Sequence, residues 1–80
     1  MRLCIENLPF EVTERALYQL FVAFGCITQV DIRRTRNGRS EGVAYVDIKK
    51  DYDGNTAINK LDTINFMNRF LRVYEIQNGS

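Results

Sequence analysis

Four arginines packed into one short stretch, Arg33, Arg34, Arg36 and Arg39, and the aromatic side chains Phe10, Tyr45, Phe70 and Tyr74 are the residues of this 80-residue sequence best able to do chemistry on a ligand. A guanidinium fork holds a phosphate or carboxylate bidentately and stacks on flat π-systems, and an aromatic ring offers a face for stacking. Catalytic chemistry finds no such material. There is no histidine, no Gly-rich phosphate loop, and no Ser or Cys nucleophile with a base within reach. Cys4 and Cys26 are too few and too irregularly placed for a disulfide framework or a zinc site, and read as buried or half-buried free thiols. No metal, no cofactor and no enzymatic activity are expected.

Net charge is +1, which alone speaks against a polyanionic partner, but its distribution matters more than its sum. Without the four clustered arginines, seven basic residues stand against ten acidic ones, so the remainder is about −3 and the cluster is locally positive. A charge run of this kind is usually a solvated hairpin tip. Here four cations of one sign, with no carboxylate until Glu41, favour a ligand. The composition, 45% hydrophobic and 26% charged with one proline, is that of a folded domain, and 80 residues suffice for one core. No apolar run approaches the ~20 residues of a membrane helix. Met1 to Glu6 does not read as a secretory signal, so an intracellular protein of the nucleus or cytoplasm is expected, with an organelle as the open alternative.

The elements that must position these groups follow from periodicity. Arg2 to Glu6 alternates polar and apolar, the pattern of a half-buried strand, and Asn7-Leu8-Pro9 ends it. Thr13 can cap a helix whose apolar positions Ala16, Leu17, Leu20, Phe21 and Phe24 recur at helical spacing, with Gly25 as the C-terminal cap, so the helix is expected to run to about Phe24. A second strand covers Ile27 to Arg33, with Val30 and Ile32 inward and Gln29, Asp31 and Arg33 outward. Asn37-Gly38, between strand-like runs, predicts a hairpin to a third strand, Gly42 to Ile48, with Ala44, Val46 and Ile48 on one face and Val43, Tyr45 and Asp47 on the other. Asp51 or Asp53 can cap a short second helix carrying Ala57, Ile58 and Leu61, in which Gly54 costs some stability. Phe70 to Ile76 reads as the last strand, with Leu71 and Val73 inward and Phe70, Arg72 and Tyr74 outward. The order βαββαβ implies an α+β, ferredoxin-like sandwich: a four-stranded antiparallel sheet with both helices on one face and the other face open.

From Leu3 to Val73 the chain resembles the RNA-recognition motif family. Leu3-Cys4-Ile5-Glu6-Asn7-Leu8 fits the family's apolar-aromatic-apolar-x-Asn-Leu hexamer except at Cys4, and Glu41 to Ile48 fits its third-strand octamer in part. Thr13-Glu14, Leu20-Phe21-x-x-Phe24-Gly25, Ala57-Ile58-x-x-Leu61 and Arg69-x-Leu71-x-Val73 follow in the family's order. The resemblance implies single-stranded RNA as ligand, stacked on platform positions that fall at Cys4, Val43 and Tyr45. Only Tyr45 is aromatic. Two missing stacks forfeit ~2–6 kcal/mol, so the isolated domain, expected to be a monomer, should bind weakly, at micromolar affinity or poorer. Tyr74 and Phe70 on the open face and Phe10 in the first loop can compensate in part, while the arginine stretch Arg33, Arg34, Arg36 and Arg39, and Arg72 on the last strand, supply cations. Glu41 stands where the family usually has a cation, and Asp31, Asp47 and Glu6 add repulsion.

Each assignment has a plainer counterpart. Tyr45 can serve cross-strand packing, Phe10 the packing of its loop, and Cys4 can be a small sheet residue with no chemistry. The competing function is a protein-interaction module that uses Val43, Cys4, Tyr45 and Phe70, or the helical face, to hold a partner protein or peptide. A copper carrier of this fold needs two closely spaced thiols in the first loop, which reads Asn7-Leu8-Pro9-Phe10. The whole chain, 1–80, is expected to be a single domain cut from a longer protein of RNA processing, since Met1 adjoins the first strand and Gly79-Ser80 closely follows the last.

Overall fold

The computed structural model describes residues 1–77; Gly79 and Ser80 lie outside them. The elements run β1 (Arg2–Glu6), α1 (Glu14–Val22), β2 (Ile27–Arg34), β3 (Ser40–Ile48), α2 (Asp51–Leu61), β4 (Asn65–Phe66), β5 (Arg69–Phe70) and β6 (Arg72–Ile76). Four strands form an antiparallel sheet in the order β2-β3-β1-β6, and β4 and β5 form a separate two-stranded ribbon. The fold is the expected α+β ferredoxin-like sandwich.

Period-two alternation sends Leu3 and Ile5, Ala44, Val46 and Ile48, Ile32, and Val73 to one face, where all are buried. Helical spacing supplies the opposing layer: Leu17 and Phe21 from α1, Ala57 and Leu61 from α2, each pair four residues apart and buried. α1 lies over β2, and α2 over β6 and β3. Thr13 caps α1, its hydroxyl oxygen accepting from the Ala16 N–H at 3.1 Å.

β2 runs one residue further than the sequence reading, to Arg34, β3 begins two residues earlier, at Ser40, and three other boundaries differ as well. α1 stops at Val22, because Phe24 and Gly25 turn their N–H groups to Phe21 and Val22 in a tighter i→i+3 pattern. Gly25 is therefore not a left-handed cap; a Cβ there would fall on the Asp53 carboxylate. The N-cap of α2 is Lys50, with no side-chain bond, and Asp51 and Asp53 sit in the first turn, where their charges oppose the positive end of the helix dipole. The last strand begins at Arg72. Leu71 gives its N–H to the Ile64 carbonyl at 2.9 Å and accepts from the Thr63 N–H at 2.7 Å, which detaches Phe70 from the sheet and places it in the ribbon.

Two connections matter for the open face. In the β2–β3 hairpin, Gly38 N–H bonds to the Thr35 carbonyl at 2.9 Å and Thr35 N–H to the Arg39 carbonyl at 2.8 Å; Gly38, at φ 83, takes the left-handed position of a three-residue loop. Asn7, at φ 64, sits where β1 ends, a backbone region that Asn tolerates better than most residues. Its side chain donates to the Phe70 carbonyl at 2.9 Å, and the Arg69 guanidinium donates to the Asn7 carbonyl at 3.1 Å and to its side-chain oxygen. The ribbon is thereby stapled to the end of β1. Strand β2, at the sheet margin, is irregular in its pairing with β3 between Ile27 and Gln29 and again between Ile32 and Arg34.

Candidate nucleic-acid interface

The sheet register aligns the face away from the helices into rows. Asp31, Tyr45, Cys4 and Tyr74 stand opposite one another across β2, β3, β1 and β6; Gln29, Asp47, Arg2 and Ile76 form the neighbouring row, and Glu6 faces Arg72. One turn of alternation puts Val43 beside Tyr45, half-buried. The two tyrosines flank Cys4, which is only 3% exposed. Cys4 thus keeps its place in the row but forms the floor between two rings, and the accessible aromatic surface is that of Tyr45 and of Tyr74, 38% exposed.

Tyr45 has cations on its ring. The guanidinium carbons of Arg2 and Arg33 each lie 5.9 Å from its centroid, within the range of cation–π attraction. Arg2 is also clamped to Asp47 by two hydrogen bonds, Nε to Oδ1 at 2.8 Å and Nη2 to Oδ2 at 3.2 Å, so this carboxylate is neutralised where it stands. Hydrogen bonding to Asp47 holds the Arg2 pKa above its ordinary value. On the other side, the Tyr74 hydroxyl donates to Glu6 Oε2 at 2.7 Å. Interaction with Cys4, then the hydrogen bond to Glu6, raises the Tyr74 phenol far above its usual range. Burial raises the Cys4 thiol, with Glu6 adding to the shift and Tyr74 opposing it.

The arginine cluster divides in two. Alternation along β2 leaves Arg33 on the open face and turns Arg34 toward α1, where its Nη2 meets Glu14 at 3.0 and 3.2 Å. Arg36 and Arg39, at the hairpin tip, are exposed and make no ion pair among the described residues. Phe10 is 67% exposed and lines a groove with Arg34, Thr35, Gly38, Arg39 and Ser40; the Arg69 guanidinium carbon lies 5.9 Å from its ring. Gly42, at φ 76, lets β3 pass close to the first loop, since a Cβ there would sit 3.3 Å from the Leu8 carbonyl oxygen. Phe70, 64% exposed, stands in the ribbon beyond the end of β1 and not in the row with Tyr74. Arg72 is exposed, with its Nε 3.8 Å from Asp62.

The structure thus brings Tyr45, Val43, Cys4, Tyr74, Arg33 and Arg72 onto one face, gathers Phe10, Arg39 and Arg36 at the hairpin end, and sets Phe70 on the ribbon and Arg34 against α1. Arg2 and Arg69 were missed. Arg2 was legible, since its alternation with Cys4 and Glu6 puts it on the open face; Arg69 was not, because its position depends on the ribbon. Such a face can stack flat rings on Tyr45 and Tyr74 and hold anions at its rim. Among the described residues no group of His, Cys, Asp and Glu is placed to hold a metal ion.

Comparison with known proteins agrees with this geometry. The family described as RNA recognition motif matches residues 3–72. A splicing factor 3B subunit 6-like protein of Arabidopsis thaliana is 33% identical over 77 residues, 96% of this chain; the chain spans 60% of that relative's length. The crystal structure of RNA-binding protein PG1 superposes with a TM-score of 0.95 at 30% identity, covering 100% of this chain and 98% of that one. A Sxl-lethal protein–RNA complex superposes with a TM-score of 0.93 at 36% identity, covering 99% of this chain and 48% of that one.

Proposed function

The chain belongs to the RNA recognition motif family, and on that premise we propose that it binds single-stranded RNA on its open sheet face as part of an RNA-processing protein. The observation that carries the reading is the row in which Tyr45, bracketed by Arg2 and Arg33, and Tyr74 lie on a face that neither helix covers. Bases stack on such rings for ~1–3 kcal/mol each, so two rings supply ~2–6 kcal/mol before ordering costs. That is a modest sum. Binding of the isolated domain is micromolar or weaker, and cations at the hairpin end, Arg36 and Arg39, add a sequence-independent contribution from phosphate contacts. Val43 and Cys4 shape the floor, Phe10 and Phe70 can meet bases that overrun the sheet, and Arg72 meets phosphate. The splicing-factor relative supports a nuclear setting, and RNA in complex with a structural neighbour supports the ligand.

A partner protein is the second reading, favoured by the two platform positions without aromatic rings and by the exposed Phe10, Met67 and Phe70 near the ribbon. Titration of the isotope-labelled chain with mixed-sequence oligoribonucleotides separates the two. Resonances of Tyr45, Arg33 and the hairpin tip should move together with a common saturation curve; spectra that stay still at millimolar RNA refute RNA binding by this face and leave the protein partner.

A further inference from the structure

The open face carries carboxylates where a polyanion must lie, and they are not equivalent. Asp47 has both oxygens engaged by Arg2. Glu6 is different: Oε2 accepts from the Tyr74 hydroxyl at 2.7 Å, while Oε1 accepts no hydrogen bond from any described residue. The same bond aims the group, because Tyr74 is anchored in the row beside buried Cys4. Across the register stands Arg72, exposed and only loosely paired with Asp62. A fixed, half-buried acceptor beside a stacking ring, with a cation one strand away, is a poor place for phosphate and a good one for a base edge rich in donors.

We infer that Glu6 is a specificity-determining residue that selects guanine for the nucleotide stacked on Tyr74; the inference rests on the RNA-binding reading and names the base preferred at that site. An ionised carboxylate only accepts hydrogen bonds. Guanine alone among the four bases presents two adjacent donors on its Watson–Crick edge, the N1–H and the 2-amino group, at the spacing of two carboxylate oxygens. Adenine and cytosine each present one amino group beside an acceptor nitrogen, and uracil one N–H between two carbonyls that the carboxylate repels. Unstacked bases in RNA are read on that edge. The lone pair left on Oε2 and the free Oε1 complete a bidentate pair while Tyr74 keeps its bond, and Arg72 holds the phosphate of the same nucleotide.

The test uses the full chain and fluorescence anisotropy with three labelled probes: heptauridine, the same strand with one central guanosine, and the same strand with inosine there, which lacks only the 2-amino group. The guanosine strand should bind roughly ten-fold tighter than heptauridine, within the range a bidentate base contact gives, and inosine should lose most of that gain. Glu6→Gln should abolish the difference between guanosine and uridine strands, read as the ratio of the two affinities within the variant. Tyr74→Phe, which frees the carboxylate to rotate, should reduce the preference several-fold. Equal binding of all three probes, or a guanosine preference that survives in both variants, overturns the inference and leaves RNA binding standing. Failure of every probe to bind overturns both.

Discussion

The hairpin cations offer the most quantitative test. Of the arginines near the open face and its hairpin end, Arg2 and Arg34 are tied to Asp47 and Glu14, Arg33, Arg36 and Arg39 are unpaired by carboxylates, and Arg72 is only loosely paired with Asp62, which leaves four for phosphate. If each of these four neutralises one phosphate of a single strand, log K falls with log salt at a slope of about −0.7 per contact, about −2.8 in all. Raising salt from about 50 to about 200 mM then weakens binding roughly 50-fold. Arg36→Ala combined with Arg39→Ala should leave a slope near −1.4 and a loss of only about seven-fold over the same range. Glu14→Gln works in the opposite direction: it releases Arg34, raises the contacts to five, and should steepen the slope to about −3.5. The assay is anisotropy of a labelled oligonucleotide at a series of potassium chloride concentrations, with melting curves confirming that each variant folds. A double variant whose slope equals that of the parent refutes the assignment of phosphate contacts to the hairpin tip.

Other consequences can be checked independently of salt. Gly54→Ala, which would gain about 1 kcal/mol in an open helix, should here destabilise by about 1–2 kcal/mol and lower Tm by roughly 5–10 °C, because the new Cβ falls on Met1 Sδ and 2.9 Å from Cγ2 of the buried Ile48. Asn7→Ala should cost about 1–3 kcal/mol in urea unfolding, since it loses the side-chain bonds to Phe70 and Arg69 and puts at positive φ a residue that tolerates it less well than Asn. The Tyr74 phenol is raised in the folded state, so its contribution is fully present below the ordinary tyrosine pKa of ~10 and fades as pH rises toward the folded value. Near-ultraviolet titration should accordingly show a late tyrosinate step that Tyr74→Phe removes; an unchanged titration refutes the hydrogen-bonded arrangement with Glu6.

Most of the architecture was readable because period-two alternation and helical spacing report burial directly. Leu3 and Ile5, the alternate residues of β3, and the pairs Leu17–Phe21 and Ala57–Leu61 all lie where their spacing put them. The readings that shifted depend on backbone bonds invisible in side-chain pattern. Phe70, Leu71, Arg72 and Val73 alternate without a break, yet the Leu71 backbone pairs with Thr63 and Ile64, and the ribbon turn uses positive φ at Met67 and Asn68 where no Asn-Gly signal marks it. Charge clustering was legible, but its division was not drawn out: adjacent arginines on a strand point to opposite faces, so Arg33 reaches Tyr45 and Arg34 reaches Glu14. The burial of Cys4 needed its neighbours, since a small side chain between two tyrosines has no surface left to offer.

The two irregularities in β2 bear on how this domain behaves when crowded. An eight-residue strand at the margin of a sheet offers a template on which a second chain can zip, and long regular margins are where such proteins coalesce. Interrupting the ladder near each end shortens the straight stretch and twists it, leaving too few consecutive backbone groups in line for intermolecular pairing to propagate. On that margin of the sheet, β2 is thereby a poor template for a second chain.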